Sequence, residues 1–254
     1  MNFPTLIFFV SVLVLWLAAR VGARLHRLRP LKDDERDDFG VVQTAILTLL
    51  GLLIGFSFSM AISRYDLRKN YEEAEANAIG TEYVRADFLP APDAAKVRDQ
   101  LRRYLDLRIL FYRTRDPGEL QRVNSDTTQF QAEMWSAVRD PAMAQSTPVI
   151  ALVVSGMNDV LNSQGYTQAA WWNRIPVSAW GLLLLTAICC NVSVGYGARA
   201  ALRARLLIVL PLVVSIAFLL VADIDSPRGG LIRVAPQNLL SLSGSLGQAP
   251  ERRH

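Results

Sequence analysis

The sequence predicts an all-α integral membrane protein with four transmembrane helices and an all-helical module outside the bilayer. Apolar residues make up 51% of its 254 residues and are concentrated in four blocks. No proline occurs between Pro30 and Pro90, so the second block can continue as a helix well beyond the membrane. Residues between the second and third blocks repeat apolar positions at helical spacing. The predicted organisation is therefore transmembrane helices 1 and 2 with a short polar loop (1–62), the helical module (63–174), transmembrane helices 3 and 4 (175–222), and a post-membrane segment with a disordered tail (223–254).

The first apolar block, residues 3–19, is predicted to be a retained transmembrane helix. Its positive charges follow it, beginning at Arg20 and Arg24, whereas a signal peptide carries its positive charge before the apolar region. The loop over residues 20–38 is basic first and acidic second. Its acidic half, from Asp33 to Asp38, precedes the second helix, where carboxylates complement the positive helix N-terminus.

The second block, Phe39 to Ile62, contains no charged residue. We predict one helix of roughly 50 residues from Phe39 to about Leu89, which at 1.5 Å per residue is on the order of 75 Å long. One face of this block carries small and polar residues at spacings of three or four: Thr44, Thr48, Gly51, Gly55 and Ser59. This stripe indicates either close packing against another helix or a wall facing water or a pore.

Beyond Ile62 the same helix becomes charged. Three basic side chains, Arg64, Arg68 and Lys69, are predicted to lie at headgroup level. Farther on, a narrow seam of small residues is predicted to face a neighbouring helix, and it consists of Tyr71, Ala74, Ala78 and Thr81.

Three further helices complete the predicted module. The first runs from Asp93 to about Thr114, with a buried face at Val97, Leu101, Tyr104, Leu105 and Ile109. The second follows Asp116-Pro117-Gly118 and is predicted to end before Pro141. The third begins at Thr147-Pro148.

The third and fourth membrane spans are predicted over residues 175–198 and 206–222. Trp171 and Trp172 precede the third span and are typical of a membrane interface. A basic turn joins the two spans through Arg199, Arg203 and Arg205, and Pro211 predicts a kink in the fourth. Cys189 and Cys190 are interpreted as apolar packing residues. From Pro236 the Ser-, Gly-, Gln- and Pro-rich composition predicts disorder.

The distribution of basic residues predicts the membrane orientation. Residues 20–38 hold six Lys and Arg residues and residues 199–205 hold three. Because short cytoplasmic loops carry an excess of basic residues, these loops are predicted to be cytoplasmic and the helical module to lie on the opposite side.

Enzyme and metal motifs are absent from the sequence. His26 and His254 are the only histidines, and no Cys/His cluster, P-loop or Gly-x-Ser-x-Gly motif is present. We therefore predict no enzymatic activity, no cofactor and no metal site. The net charge of +4 is attributed to topology and anionic lipid headgroups, and no nucleic-acid partner is predicted.

Two stretches carry a resemblance to a known family. Residues 51–68 (GLLIGFSFSMAISRYDLR) with 75–80 (EANAIG), and residues 222–234 (ADIDSPRGGLIRV), resemble a family of bacterial membrane proteins with a bestrophin-like domain. The spacing of the apolar blocks is also similar, so the resemblance covers nearly the whole chain. More distantly, Gly55-Phe56 and Arg64-Tyr65 resemble a motif of bestrophins, which are pentameric anion channels.

This resemblance implies a homo-oligomer, pentameric if it extends that far, in the inner membrane of a bacterium. The second helix would line an anion pathway, with pore-lining candidates Thr48, Leu52, Phe56 and Ser59. Arg64, Arg68 and Lys69 would attract anions at its mouth. Asp223, Asp225 and Arg228 would form an acidic/basic site after the last span. The resemblance also implies a cytoplasmic helical module, opposite to the orientation that the basic residues predict. The alternative function is a non-conducting membrane protein whose helical module serves assembly, sensing or partner binding.

Overall fold

A computed structural model describes residues 3–32, 34–198 and 207–248. In these ranges every regular element is a helix, which confirms the all-α prediction. The elements are α1 (Phe3–Leu28), α2 (Glu35–Arg85), a 3-10 turn (Ala86–Phe88), α3 (Ala91–Arg113), α4 (Pro117–Ala144), α5 (Pro148–Trp172), α6 (Val177–Gly197), α7 (Val209–Asp225) and α8 (Gln237–Gln248). As predicted, α2 is one continuous helix, and it has 51 residues.

Among the described residues, three helical segments are long and apolar enough to cross a membrane, judged by length and composition: Pro4–Leu28, Glu35–Phe88 and Pro148–Gly197. The helix predicted as the fourth span is α7, with 17 residues from Val209 to Asp225. The basic turn through Arg199, Arg203 and Arg205 lies outside the described residues, as does Leu206.

The chain divides into two compact units. The first unit comprises Met1–Tyr65 and Arg174–Arg233. Its core is formed by buried apolar residues of α1, α2, α6 and α7: Leu15, Leu50, Leu183, Ala187, Cys190, Val214 and Phe218. The fully buried Cys190 therefore packs as an apolar residue, as predicted, whereas Cys189 is exposed.

Helices α1 and α6 approach each other closely because two glycines remove the side chains between them. A Cβ atom at Gly195 would overlap the backbone carbonyl of Ala19, and one at Gly22 would overlap the carbonyl of Val192. Small residues at such crossings let helix backbones reach contact distance, which favours van der Waals packing in an apolar solvent.

The second unit comprises Asp66–Asn173 and Val234–His254. The predicted buried face of α3 is confirmed, because Val97, Leu101 and Tyr104 have no exposed surface and Leu105 and Ile109 have at most 8%. The predicted starts of α4 and α5 are also confirmed. The side chain of Asp116 accepts a hydrogen bond from the N–H of Glu119 (2.8 Å), and that of Thr147 accepts one from Ile150 (3.2 Å).

Two prolines affect their helices less than predicted. Pro141 does not end α4, which continues to Ala144. Only one helical turn follows Pro141. Because proline has no backbone N–H, one backbone hydrogen bond is lost near the end of the helix. Pro211 lies in the first turn of α7, where a backbone N–H has no partner within the helix and no kink is required.

The side chain of Trp171, which the sequence predicts at a membrane interface, is only 4% exposed. Its ring packs edge-on against Phe111 and Tyr112 of α3, with centroid distances of 5.1 and 5.5 Å. Trp172, in contrast, is 75% exposed.

The predicted disorder after Pro236 is wrong for residues 237–248, which form α8. Glu72 of α2 explains the start of this helix. Its carboxylate accepts hydrogen bonds from the backbone N–H of Leu239 (3.0 Å) and from the side-chain amide of Asn238 (2.6 Å). A carboxylate at a helix N-terminus satisfies unpaired N–H groups and complements the helix dipole. Because the cap comes from a distant part of the chain, local composition did not reveal it.

We predict that Gly195→Ala destabilises the protein by about 1–3 kcal/mol, because the added methyl group meets backbone that cannot move aside cheaply. Thermal unfolding in detergent measures this effect. Gly181→Ala, on the same helix with nothing within 4 Å of the added Cβ, is the control and is expected to keep the wild-type midpoint. Equal midpoints for the two variants would contradict the close helix contact.

Candidate functional site

The predicted pore-lining residues lie on an exposed face of α2. Leu52 is 53% exposed and Phe56 is 61% exposed, and Thr48 and Ser59 are also exposed. The opposite side of the same segment is buried at Leu50 and Ala61. Burial on one side and exposure on the other fix the rotation of this helix within the first unit.

The glycines of this face have no packing partner among the described residues of the first unit. A Cβ atom added at Gly51 or Gly55 would meet nothing within 4 Å. The predicted small-residue stripe is therefore not a seam between helices of this unit. A second copy of the chain, lipid or water remains to cover it, so the pore-lining role of Thr48, Leu52, Phe56 and Ser59 stays a prediction.

The two threonine hydroxyl groups of the stripe donate hydrogen bonds within the helix. The hydroxyl of Thr44 donates to the carbonyl of Gly40 (2.8 Å), and that of Thr48 donates to the carbonyl of Thr44 (2.9 Å). Both hydroxyl protons are thus used inside the helix, while the oxygen lone pairs still face outward as acceptors. The exposed apolar surface of Leu52 and Phe56 dominates the centre of the face.

At the end of the apolar segment, Arg64 lies beside Asp225 of α7, with 3.9 Å between Nη1 and Oδ1. The Asp225 carboxylate also accepts hydrogen bonds from the backbone N–H of Ile175 at 3.1 and 3.2 Å. The side chains of Arg64 and Asp225 are 17% and 9% exposed. Asp225 thus fixes the start of the third apolar block relative to α2 and α7.

The other predicted acid, Asp223, closes the loop that follows α7. Its carboxylate accepts hydrogen bonds from the backbone N–H groups of Leu231 (2.8 Å) and Ile232 (2.8 Å). Gly230 is required here, since a Cβ atom at this position would lie 2.5 Å from the Asp223 carbonyl oxygen. Asp223 and Asp225 therefore both hold backbone groups, while Arg228 is half-buried in the same loop.

Arg68 differs from its predicted exposure at a pore mouth. It is 1% exposed, and its guanidinium donates to the carbonyls of Ala170 (3.3 Å) and Asn173 (3.4 Å) at the end of α5. The last carbonyls of a helix lack intrahelical donors and carry partial negative charge, so a buried cation stabilises them. Lys69, the next residue, is exposed.

A buried ion pair that the sequence did not reveal lies in the second unit. Glu75 of α2 and Arg108 of α3 are both fully buried and form a hydrogen-bonded salt bridge. The hydroxyls of Tyr112 and Thr167 each donate to the second carboxylate oxygen of Glu75 at 3.2 Å. Helices α2, α3 and α5 therefore meet at one carboxylate, and the Arg108 guanidinium also stacks 4.4 Å from the centre of the Phe111 ring.

The electrostatics of this cluster keep the arginine charged and the tyrosine neutral. Burial alone lowers the pKa of Arg108, but the Glu75 carboxylate more than offsets burial and raises that pKa overall. Burial, reinforced by the charge of Glu75, raises the pKa of Tyr112. The cluster is thus one fixed ion pair with neutral hydrogen-bond donors, and nothing in it resembles an acid–base catalyst poised near neutral pH.

The most buried face of α2 in this unit is not the seam predicted from the sequence. Of that seam, Tyr71 is half-buried and stacks on Tyr166 of α5 with 5.9 Å between ring centroids, Ala78 is half-buried, and Ala74 and Thr81 are exposed. The face that packs instead holds residues at spacings of three and four: Arg68, Glu72, Glu75, Ile79, Glu82 and Ala86. A helical repeat that includes the charged residues would have found this face, but charged residues are almost never fully buried unless they are paired.

In the described part of the chain, no group of three or more His, Cys, Asp or Glu side chains is placed to hold a metal ion. A groove of about 750 Å³ in the second unit runs between α2 and α8 and is bordered by Gly80, Val84, Phe88 and Leu242. Its lining offers no titratable cluster.

Comparisons with known proteins agree with this architecture. The profile of the Bestrophin-like domain family matches residues 5–239. Among solved structures, a variant of a bacterial bestrophin homologue from Klebsiella pneumoniae superposes with a TM-score of 0.64 at 14% sequence identity, covering 96% of this chain and 99% of that one. A second variant gives 0.63 at 16% identity, with 96% and 97% covered. The structure of that homologue phased on zinc gives 0.62 at 16% identity, with 94% and 98% covered. No curated protein matches the chain by sequence.

We predict that Arg108→Met destabilises the second unit by about 3–5 kcal/mol, because Glu75 is left as a buried charge without its partner. Thermal or denaturant unfolding in detergent measures the loss. Arg103→Met is the matched control on the same helix, since Arg103 forms an exposed pair with Asp99 and its loss costs about 0.5 kcal/mol or less.

The double variant Glu75→Gln/Arg108→Met separates charge from packing. It is expected to recover part of the stability that Arg108→Met loses, because no unpaired charge is then buried. Equal effects of Arg108→Met and Arg103→Met would contradict the importance of this ion pair.

Proposed function

The chain belongs to the Bestrophin-like domain family, and we propose that it is a homo-oligomeric membrane channel that conducts anions along the exposed face of α2. The exposed face itself carries this proposal. The glycines, leucine and phenylalanine of this apolar face are not covered by the described residues of their own unit, so the face is left for a second copy of the chain, for lipid or for a pathway.

Symmetry makes this face the wall of the proposed pore. When identical subunits surround one axis, each contributes the same residues at the same height. Leu52 and Phe56 would then form two apolar rings, with Thr48 and Ser59 above and below them. Apolar rings of this kind gate a pore by controlling its wetting. The resemblance to bestrophins supports five subunits around the axis.

Positive charge near the end of the apolar segment supports anions as the conducted ion. Lys69 is exposed, and Arg64 is half-buried next to Asp225. Exposed cations at a pore mouth raise the local anion concentration. Arg68 is left out of this role because its guanidinium is buried at the end of α5.

Four membrane spans complete the proposed topology, with α7 as the fourth. Its 17 residues are at the short end for a spanning helix. We propose a bacterial inner membrane as its location, with the lipid bilayer, further copies of the chain and permeating anions as its partners.

A second candidate function is a non-conducting membrane protein whose helical unit serves assembly, sensing or partner binding. The use of Asp223 and Asp225 as backbone acceptors favours it, because these acids then have a structural role in the membrane-edge loop. In that case the face of α2 would be buried between subunits and closed to ions.

We predict that purified protein in liposomes passes chloride and that Phe56→Ala or Leu52→Ala raises the flux several-fold, because a smaller ring wets more easily. A chloride efflux assay measures the rate. Leu13→Ala is the control, since Leu13 is also an exposed leucine (56% exposed) but lies on α1. Absence of chloride flux in wild type and in both α2 variants would favour the non-conducting alternative.

Two orientations of the helical unit can be distinguished directly. The basic loops favour its placement outside the cytoplasm, whereas the bestrophin resemblance implies the cytoplasmic side. The reporter is Met143→Cys in the second unit, combined with Cys189→Ala and Cys190→Ala so that no native thiol reacts, because Met143 is 82% exposed. A membrane-impermeant thiol reagent is expected to label it in intact spheroplasts if the basic loops are cytoplasmic. Labelling only in inverted vesicles would establish the opposite orientation.

A further inference from the structure

Glu82 is a buried carboxyl group for which the described residues provide no hydrogen-bond partner. It lies on α2 in the second unit and has no exposed surface, and neither carboxylate oxygen is within hydrogen-bond distance of a donor. The other buried acids of this helix differ. Glu72 caps α8 and Glu75 pairs with Arg108, so the carboxyl oxygens of both accept hydrogen bonds. Among the buried glutamates of α2, Glu82 is the one whose carboxyl has no hydrogen-bond donor in the described residues.

The space for this side chain comes from α5. A Cβ atom at Gly156 would overlap the Glu82 carboxylate and also lie close to the Arg85 guanidinium. Glycine at this position therefore forms the floor of a pocket that the Glu82 carboxyl fills. The Arg85 guanidinium is engaged instead with the carbonyl of Leu152, one turn earlier on α5, at 3.4 Å. Glu82 and Arg85 thus form the contact between the second half of α2 and this part of α5.

We propose that Glu82 is a proton-binding site that makes the contact between α2 and α5 depend on pH. The neutral carboxyl fills the Gly156 pocket and holds α5 against α2. When the carboxyl releases its proton to solvent, the resulting carboxylate is unsatisfied in the pocket, and the contact between these two helices loosens.

The charges around Glu82 are consistent with this role. Burial raises its pKa from 4.5 to about 8, Arg85 on its own helix opposes this rise, and Asp159 on α5 adds to it. Because burial outweighs the single nearby cation, the carboxyl is mainly protonated at neutral pH. A buried charge without donors is more costly than a buried neutral acid, so a proton is the ligand that this pocket favours.

The direction of the pH effect follows from these two pKa values. Between 4.5 and about 8 the folded protein holds a proton on Glu82 that the unfolded chain has released. Stability therefore falls as pH rises through this window and levels off above it. From about pH 6 to about pH 9 the ratio of folded to unfolded second unit is expected to fall on the order of 100-fold.

Thermal unfolding of the full-length protein in detergent, followed across about pH 6 to about pH 9, tests the proposal. We expect the wild-type midpoint to fall over this range. Glu82→Gln is expected to abolish the fall, because the amide keeps the shape and cannot ionise. Glu73→Gln is the matched control on the same helix, since Glu73 is exposed, and it is expected to retain the wild-type slope. Identical slopes for wild type and Glu82→Gln would overturn the proposal.

A second measurement does not depend on the folding of Glu82→Gln. Difference infrared spectroscopy of the wild type between the same two pH values is expected to show the loss of a protonated-carboxyl band. Gly156→Ala is expected to remove this band, because the added methyl group pushes the Glu82 carboxyl out of its pocket towards water. Gly165→Ala, on the same helix with open space around its Cβ, is expected to keep it. A wild-type spectrum without the band, or a band that Gly156→Ala leaves unchanged, would also overturn the proposal.

Discussion

The unbroken backbone hydrogen bonding of α2 is the constraint on which the other elements depend. Over 51 residues from Glu35 to Arg85 no residue interrupts the helix, and the helix contributes to both compact units. Because its residues turn by a fixed angle, the buried positions Leu50 and Ala61 determine which side chains are exposed opposite them. The orientation of Leu52 and Phe56 is thus a consequence of packing in the first unit.

Along α2, charged side chains determine which helices of the second unit dock against it. Arg68, Glu72 and Glu75 of α2 each reach a different element: the end of α5, the start of α8, and Arg108 of α3. Such pairs add little net stability compared with apolar packing, but the loss of one partner is costly. They specify which helix docks where, since each charge is satisfied by one arrangement of carbonyls, N–H groups or a guanidinium.

The channel and the proton site are proposed from different kinds of observation. The channel rests on an exposed surface that one chain leaves open, and on kinship with a family whose solved members share the fold at low identity. The proton site rests on a buried carboxyl group packed against Gly156 inside one unit and needs no neighbour. If both proposals are correct, α2 lines the ion pathway with residues of the first unit and carries a pH-responsive group among its residues of the second unit.

The sequence by itself determined the helical class, the long second helix, the starts of α4 and α5 and the buried face of α3. These features follow from short-range rules, namely proline positions, capping side chains and apolar periodicity. Only the tertiary structure decided the buried face of α2 beyond the membrane, the helix at residues 237–248, the burial of Trp171 and the engagement of Arg68 at α5. Each of these depends on a partner far away in the chain, such as Glu72 for α8 and Phe111 for Trp171. In the sequence, a charged residue that is buried cannot be distinguished from one on the surface. Its partner is brought next to it only by the tertiary fold.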